Sequence, residues 1–242
     1  MTDKENFLFD LDGTLLNINM DEFIKYYFDA LSREFSDLCE SREEFIKILM
    51  DSTAEMIKNN GDKTNQEVFM EDFFQKINIS ETQSAEGIKK RFDNFYEEQF
   101  PKLKKHFQFN KELPLEIIEH LKAKEKKIVL ATNPLFPREA VVERLHWAGL
   151  SEEDFDFITS YENMNYAKPN PKYYQQILDK IEEQPEDCVM IGNDMGEDTP
   201  ASDVGIATVI IHDHIIEAEN GEEKIRWQGS LKDFAVLLKE TV

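Results

Sequence analysis

The chain has 242 residues, with 28 Lys+Arg against 50 Asp+Glu and a formal net charge of −22 at pH 7. Such a field repels polyanions, which excludes nonspecific binding to nucleic acid or anionic lipid; a small anionic substrate is still allowed where a bound cation reverses the local potential. Hydrophobic residues make up 40% of the chain, including 18 Phe, enough for a core. No apolar run approaches the roughly 20 residues of a membrane span, and the first residues lack the basic-then-apolar order of a secretion signal. Cys39 and Cys188 stand far apart in no metal-like spacing. The expectation is a reduced cytoplasmic protein, with self-repulsion slightly favouring a monomer.

The first predicted element is a strand over 6–11, an apolar run that Gly13 ends and that suits the centre of a parallel sheet. From 17 to 107 apolar residues recur at helical spacing, as in Phe23, Tyr26, Tyr27 and Ala30 or Phe92, Phe95 and Tyr96. Asn59-Asn60-Gly61-Asp62 reads as a turn between helices. The many Phe of this block are read most simply as its core, with a ligand-lining role for a few as the lesser reading. Beyond Pro101 the pattern alternates. Helices are predicted over 114–124, 139–148, 171–181, 201–204 and 231–239, and strands over 127–131, 155–159, 188–191 and 206–211. Alternation of this kind implies βαβ units, a mainly parallel Rossmann-like sheet with helices on both faces, and an all-α domain inserted after the first strand. The division is 1–16 with 108–242 as the α/β core and 17–107 as the helical insert.

Ligands of open α/β sheets bind at the carboxyl ends of the strands. Those ends carry Asp10-Leu11-Asp12-Gly13-Thr14, then Thr132-Asn133, then Lys168-Pro169 in a loop, and then the acid-rich loop 192–198. In extended backbone Asp10 and Asp12 point the same way, and two adjacent carboxylates need a cation or a shared proton. Thr132 offers a hydroxyl, with backbone N–H groups beside it, for phosphate oxygens. An ammonium at Lys168 would neutralise a nucleophile and a transferring phosphoryl group. Asp194 and Asp198 add hard oxygen donors that favour Mg²⁺, with a helix expected to start at Thr199-Pro200. His212 and His214 make at most a weak metal pair and are read as solvated loop residues.

Together these segments resemble the haloacid dehalogenase superfamily, in its phosphatase-like branch. Asp10–Thr14 matches the DxDGT motif, Thr132 the second motif, Lys168-Pro169 the third, and 192–198 the acidic fourth. The helical block resembles that family's C1-type cap. The fourth motif departs from the common Gly-Asp-Ser, because Asn193 follows Gly192 and Asp194 comes next. Either Asp194 ligates the metal, which a carboxylate does better, or Asn193 does so through its carbonyl oxygen.

The resemblance implies a Mg²⁺-dependent phosphatase of a small phosphorylated metabolite. Asp10 would be the nucleophile that forms an aspartyl phosphate, and Asp12 the general acid and base. Thr132, Asn133 and Lys168 would hold phosphate. The metal would lie on Asp10, the Asp12 carbonyl and Asp194, with Asn193 and Asp198 as further or supporting ligands. An acid at position 12 points to phosphate esters rather than to a dehalogenase, but a sugar phosphomutase uses the same acid. A non-catalytic phosphate-binding or regulatory protein of the same fold is the third reading. Within the cap, Arg33, Arg42, Arg91, Lys25, Tyr26 and Tyr27 are candidates for substrate contact, and Met20 and Phe23 for the pocket mouth.

Overall fold

The computed structural model describes residues 4–77, 84–219 and 221–242. Strand β1 (Asn6–Phe9) is followed by four helices: α1 (Met20–Glu34), α2 (Arg42–Ile57), α3 (Asn65–Lys76) and α4 (Ala85–Glu98). Each opens on a polar cap that takes up orphan amides. Asn19, Ser41, Thr64 and Ser84 all accept from the backbone three residues on, and Thr64 with Glu67 forms a reciprocal capping box. A 3₁₀ stretch, Phe100–His106, leads back to the α/β part. No strand occurs among the described residues of 17–107.

The rest alternates as α5 (Glu112–Ala123), β2 (Lys127–Leu130), α6 (Arg138–Trp147), β3 (Phe157–Ile158), α7 (Pro171–Ile181), β4 (Cys188–Gly192), α8 (Met195–Asp198), β5 (Ala207–Ile211), β6 (Ile225–Gly229) and α9 (Leu231–Thr241). The six strands form one sheet in the order β3-β2-β1-β4-β5-β6, and every pairing is parallel. β1 is central, with β2 on one side and β4 on the other. The chain order reverses across β1, so the crevice beyond its carboxyl end is where a ligand belongs.

Side chains of β1 alternate between the two faces. Phe7 and Phe9 join the larger core, with α5, α6, α9 and the inserted helices, while Leu8 joins the smaller one under α7. Most Phe of the helical block are core: Phe35, Phe45, Phe73 and Phe95 are buried, and Phe35 stacks on Phe92 at 4.3 Å.

The start of α3 is fastened to the α/β part through backbone acceptors. Asn65 N donates to Met164 O at 2.8 Å and Gln66 N to Tyr161 O at 2.8 Å. Asn65 Nδ2 donates to Pro134 O at 3.3 Å and Tyr166 O at 3.2 Å, and Asn165 Nδ2 donates to Gly61 O at 3.1 Å.

Three details differ from the sequence expectations. β1 stops at Phe9 and β3 spans two residues, because the chain turns as soon as it leaves its neighbours. The helix placed at Thr199-Pro200 starts earlier, at Asp194, whose Oδ1 caps Gly196 N and Glu197 N; Thr199–Val204 continues it as 3₁₀. β6 was not anticipated: it is an edge strand whose residues alternate between half-buried and exposed.

Candidate active site

Beyond β1 the backbone stays extended for one more residue, with Asp10 N donating to Ile191 O at 2.8 Å. It then turns back: Leu11 O accepts from Thr14 N and Leu16 N, with Gly13 at φ +84°. Only glycine fits there, since a Cβ would sit 2.4 Å from Asn193 Nδ2. Asp10 and Asp12 therefore lie past the strand rather than in it, yet both line one cavity of about 210 Å³. Thr132, Asn133, Asn193, Asp194 and Asp198 line the same cavity, as does Glu197. All the residues singled out from the strand ends meet here, with Lys168 behind them.

Lys168 is 1% exposed. Its Nζ lies 2.9 Å from Asp10 Oδ1 and 2.7 Å from Asp198 Oδ1. Asp198 is as deeply buried, and its Oδ2 accepts from Asp194 N at 3.0 Å. Space for that carboxylate exists because residue 192 is glycine: a Cβ there would lie 1.9 Å from Asp198 Oδ2. The Lys168 backbone is held by Asn133, whose Oδ1 accepts from Lys168 N at 3.2 Å and whose Nδ2 donates to Glu197 Oε1 at 2.8 Å. Thr132 is buried, and its carbonyl accepts from Tyr173 OH at 2.8 Å and Thr159 Oγ1 at 2.7 Å, which fixes the loop.

Asn193 ties three loops together. Its Oδ1 accepts from Thr14 Oγ1 at 3.1 Å and its Nδ2 donates to His214 O at 2.7 Å. The residue that departs from the common motif thus has its side-chain amide engaged in structure.

Charge in the cavity is unbalanced. Burial pushes Asp10 up to about 8; Lys168 opposes this, and the neighbouring Asp198 and Asp12 carboxylates add to it. Burial also raises Asp12, against the pull of Arg144 and Lys168. It raises Glu197 to about 7 and raises Asp194. Burial alone would lower the Lys168 ammonium, but Asp10 and Asp198 overcome that and hold it well above its ordinary value. No group of three His, Cys, Asp or Glu already arranged to hold a metal occurs among the described residues. Mg²⁺ uses few carboxylates and keeps waters. The crowded acids Asp10, Asp194 and Asp198 fit such a cation; the buried Asp12 Oδ1 has no hydrogen-bond partner among the described residues.

Two contributors were not anticipated. Arg144 on α6 is wholly buried, with Nη1 3.0 Å from Asp12 Oδ2 and its guanidinium 4.3 Å from the Phe136 ring centroid. The signal was an arginine on the apolar stripe of a helix, beside Ala140, Val141 and Trp147. Glu197 was hidden in the acid run, three residues after the cap Asp194.

The cap candidates divide. Arg33 and Arg42 pair with Asp29, and Arg91 pairs with Asp37. Lys25 is exposed, Tyr26 stacks on His106 at 4.0 Å, and Phe23 is core. Met20 does line the acidic cavity, as expected for the mouth. His214 contacts Asn17, and His212 contacts Gln228 at 3.3 Å.

No helix among the described residues is long and apolar enough to cross a membrane. A relative, pyrophosphatase PpaX of Bacillus mycoides (strain KBAB4), is 23% identical over 204 residues, covering 84% of this chain and 81% of its own. Two solved structures share the fold, each with a TM-score of 0.59. One is a HAD phosphatase from Thermococcus onnurineus, 20% identical over 97% of both chains. The other is a "predicted phosphoglycolate phosphatase" from Haemophilus somnus 129pt, 21% identical over 100% of both. The sequence profile of the haloacid dehalogenase-like hydrolases matches residues 5–202, through all four strand-end segments that build the cavity. The chain belongs to that family of hydrolases.

Proposed function

We propose that the protein is a Mg²⁺-dependent phosphatase acting on a small phosphate monoester through an aspartyl-phosphate intermediate. The reading rests above all on the buried Lys168 that pairs with Asp10 and Asp198 from behind the cavity wall, with a second acid, Asp12, two residues from the first. A cation held by Asp10, the Asp12 carbonyl and Asp194, with Asn193 and Asp198 in support, would neutralise phosphate charge and keep Asp10 ionised. Asp10 attacks phosphorus and Lys168 balances the charge that builds there. Thr132 and Asn133 orient the phosphate oxygens. Asp12, which burial disposes to hold a proton, protonates the departing alkoxide and then takes a proton from the attacking water. In this reading 1–16 and 108–242 are the catalytic unit and 17–107 the cap; residues 1–3, 78–83 and 220 fall outside the described ones. Its setting is the cytoplasm.

The test is inorganic phosphate release from p-nitrophenyl phosphate and a panel of phosphate esters, with Mg²⁺ and with EDTA, by wild type and Asp10→Asn. Metal-dependent release abolished by Asp10→Asn is the expected result. A folded protein that releases phosphate from no ester refutes the reading.

A further inference from the structure

A second cavity, of about 170 Å³, adjoins the acidic one, and Met20, Leu135 and Phe136 line both. Its remaining wall comes from the helical block and from Tyr161, with Phe28, Phe69 and Phe92 prominent. None of the described residues lining it carries a charge. Each of its hydroxyls has a partner: Tyr27 and Tyr96 share a hydrogen bond of 2.7 Å, Thr53 Oγ1 donates to Leu49 O at 2.9 Å, and Tyr161 OH accepts from Gln66 Nε2 at 3.4 Å. A second phosphate or a carboxylate placed here would be stripped of water, and Arg144, whose guanidinium lies on the Phe136 ring at this wall, is already paired with Asp12. An apolar group meets only favourable walls. The volume matches that of apolar cavities, about 150 Å³, that accept a benzene ring.

We propose that this chamber holds the alcohol part of the substrate, and that this alcohol is apolar and about the size of a six-membered ring. The inference rests on the phosphatase reading and narrows it: the acidic cavity takes the phosphate, and Met20, Leu135 and Phe136 form the neck between the two.

The test uses primary alkyl phosphates with leaving alkoxides of nearly equal basicity, so that differences in rate report binding of the alkyl part. Ethyl, n-butyl and 2-phenylethyl phosphate are compared with phosphoglycolate and inorganic pyrophosphate, using the whole chain and Mg²⁺. kcat/KM is expected to rise roughly fourfold per buried methylene, about 15-fold from ethyl to butyl, and further for phenylethyl. Phosphoglycolate and pyrophosphate are expected to be the poorest. Thr53→Trp, which fills the chamber, is expected to bring the butyl-to-ethyl ratio down toward one. A flat alkyl series, or a preference for phosphoglycolate or pyrophosphate, overturns the proposal while leaving the phosphatase reading intact. An unchanged ratio in a folded Thr53→Trp overturns it as well. Release from no ester overturns both. The wild-type series decides the matter even where the variant does not fold.

Discussion

Adding one methyl group at Gly192 should dismantle the charge line behind the cavity. A Cβ there would sit 1.9 Å from Asp198 Oδ2 and 2.3 Å from its Cγ, and the conflict involves a buried carboxylate held at both oxygens. To reach ordinary contact the carboxylate must retreat by more than about 1 Å, which breaks its pairing with Lys168 and its bond from Asp194 N. Disrupting a buried ion pair costs about 3–5 kcal/mol, and a stranded backbone N–H about 1–3; the two are not additive because one movement causes both. Gly192→Ala is therefore expected to lose about 3–5 kcal/mol in urea denaturation. Lys168 is also displaced from Asp10, so phosphate release should fall by at least about 100-fold. The cause is isolated by a double-mutant cycle. In an Asp198→Ala background the methyl group has nothing to strike, and Gly192→Ala should then cost less than about 1 kcal/mol. An equal cost in both backgrounds, or a single variant as stable as wild type, would refute the reasoning.

Lys168→Met leaves Asp10 and Asp198 facing each other without a cation, and phosphate release should fall by at least about 1,000-fold. Asp10, already raised to about 8, is raised further and holds its proton to higher pH; the stability loss, about 3–5 kcal/mol at pH 9, should be smaller at pH 5, where the wild-type carboxyl is protonated too, and equal losses in urea at both pH values would contradict this. Glu197 is raised from an ordinary 4.5 to about 7 in the folded chain, so the stability it contributes falls as pH rises from about 4.5 to about 7. In EDTA, Glu197→Gln should gain on wild type by about 3 kcal/mol across that window and no further above it; a pH-independent difference counts against the assignment. Cys188 is buried and pushed up to about 11, so at pH 8 Ellman's reagent should reach at most Cys39 in native protein and both thiols in denaturant. Two fast native thiols would show that the β4 region opens.

Much of this architecture can be read from residue order, because central parallel strands are apolar on both faces and leave a plain signal, as in Lys127–Leu130 and Cys188–Gly192. The site is legible for a related reason: acids, a threonine and a lysine recur where such strands end. The edge strand β6 was obscured because Ile225 and Trp227 alternate with polar residues over only five positions, a pattern shared with loops. Arg144 was obscured because an arginine on a helix is usually solvated, and burial beside Asp12 depends on how α6 meets the β1 loop. The role of Gly192 in making room for Asp198 depends on a contact across six residues that no spacing rule reveals.

The fastening at the start of α3 sets how often the cavity can be reached from above. Lifting that helix from Pro134 and the 161–166 segment surrenders five hydrogen bonds with a backbone partner together, from Asn65, Gln66 and Asn165. At about 1 kcal/mol each, the lifted form amounts to on the order of one molecule in several thousand. For any ester too large for the closed mouth, apparent affinity is reduced by that same factor, because only the rare form receives it. Part of the intrinsic affinity of the chamber is thus spent on unclasping, and loosening the clasp at Asn165, remote from the reacting atoms, tightens apparent binding of bulky esters.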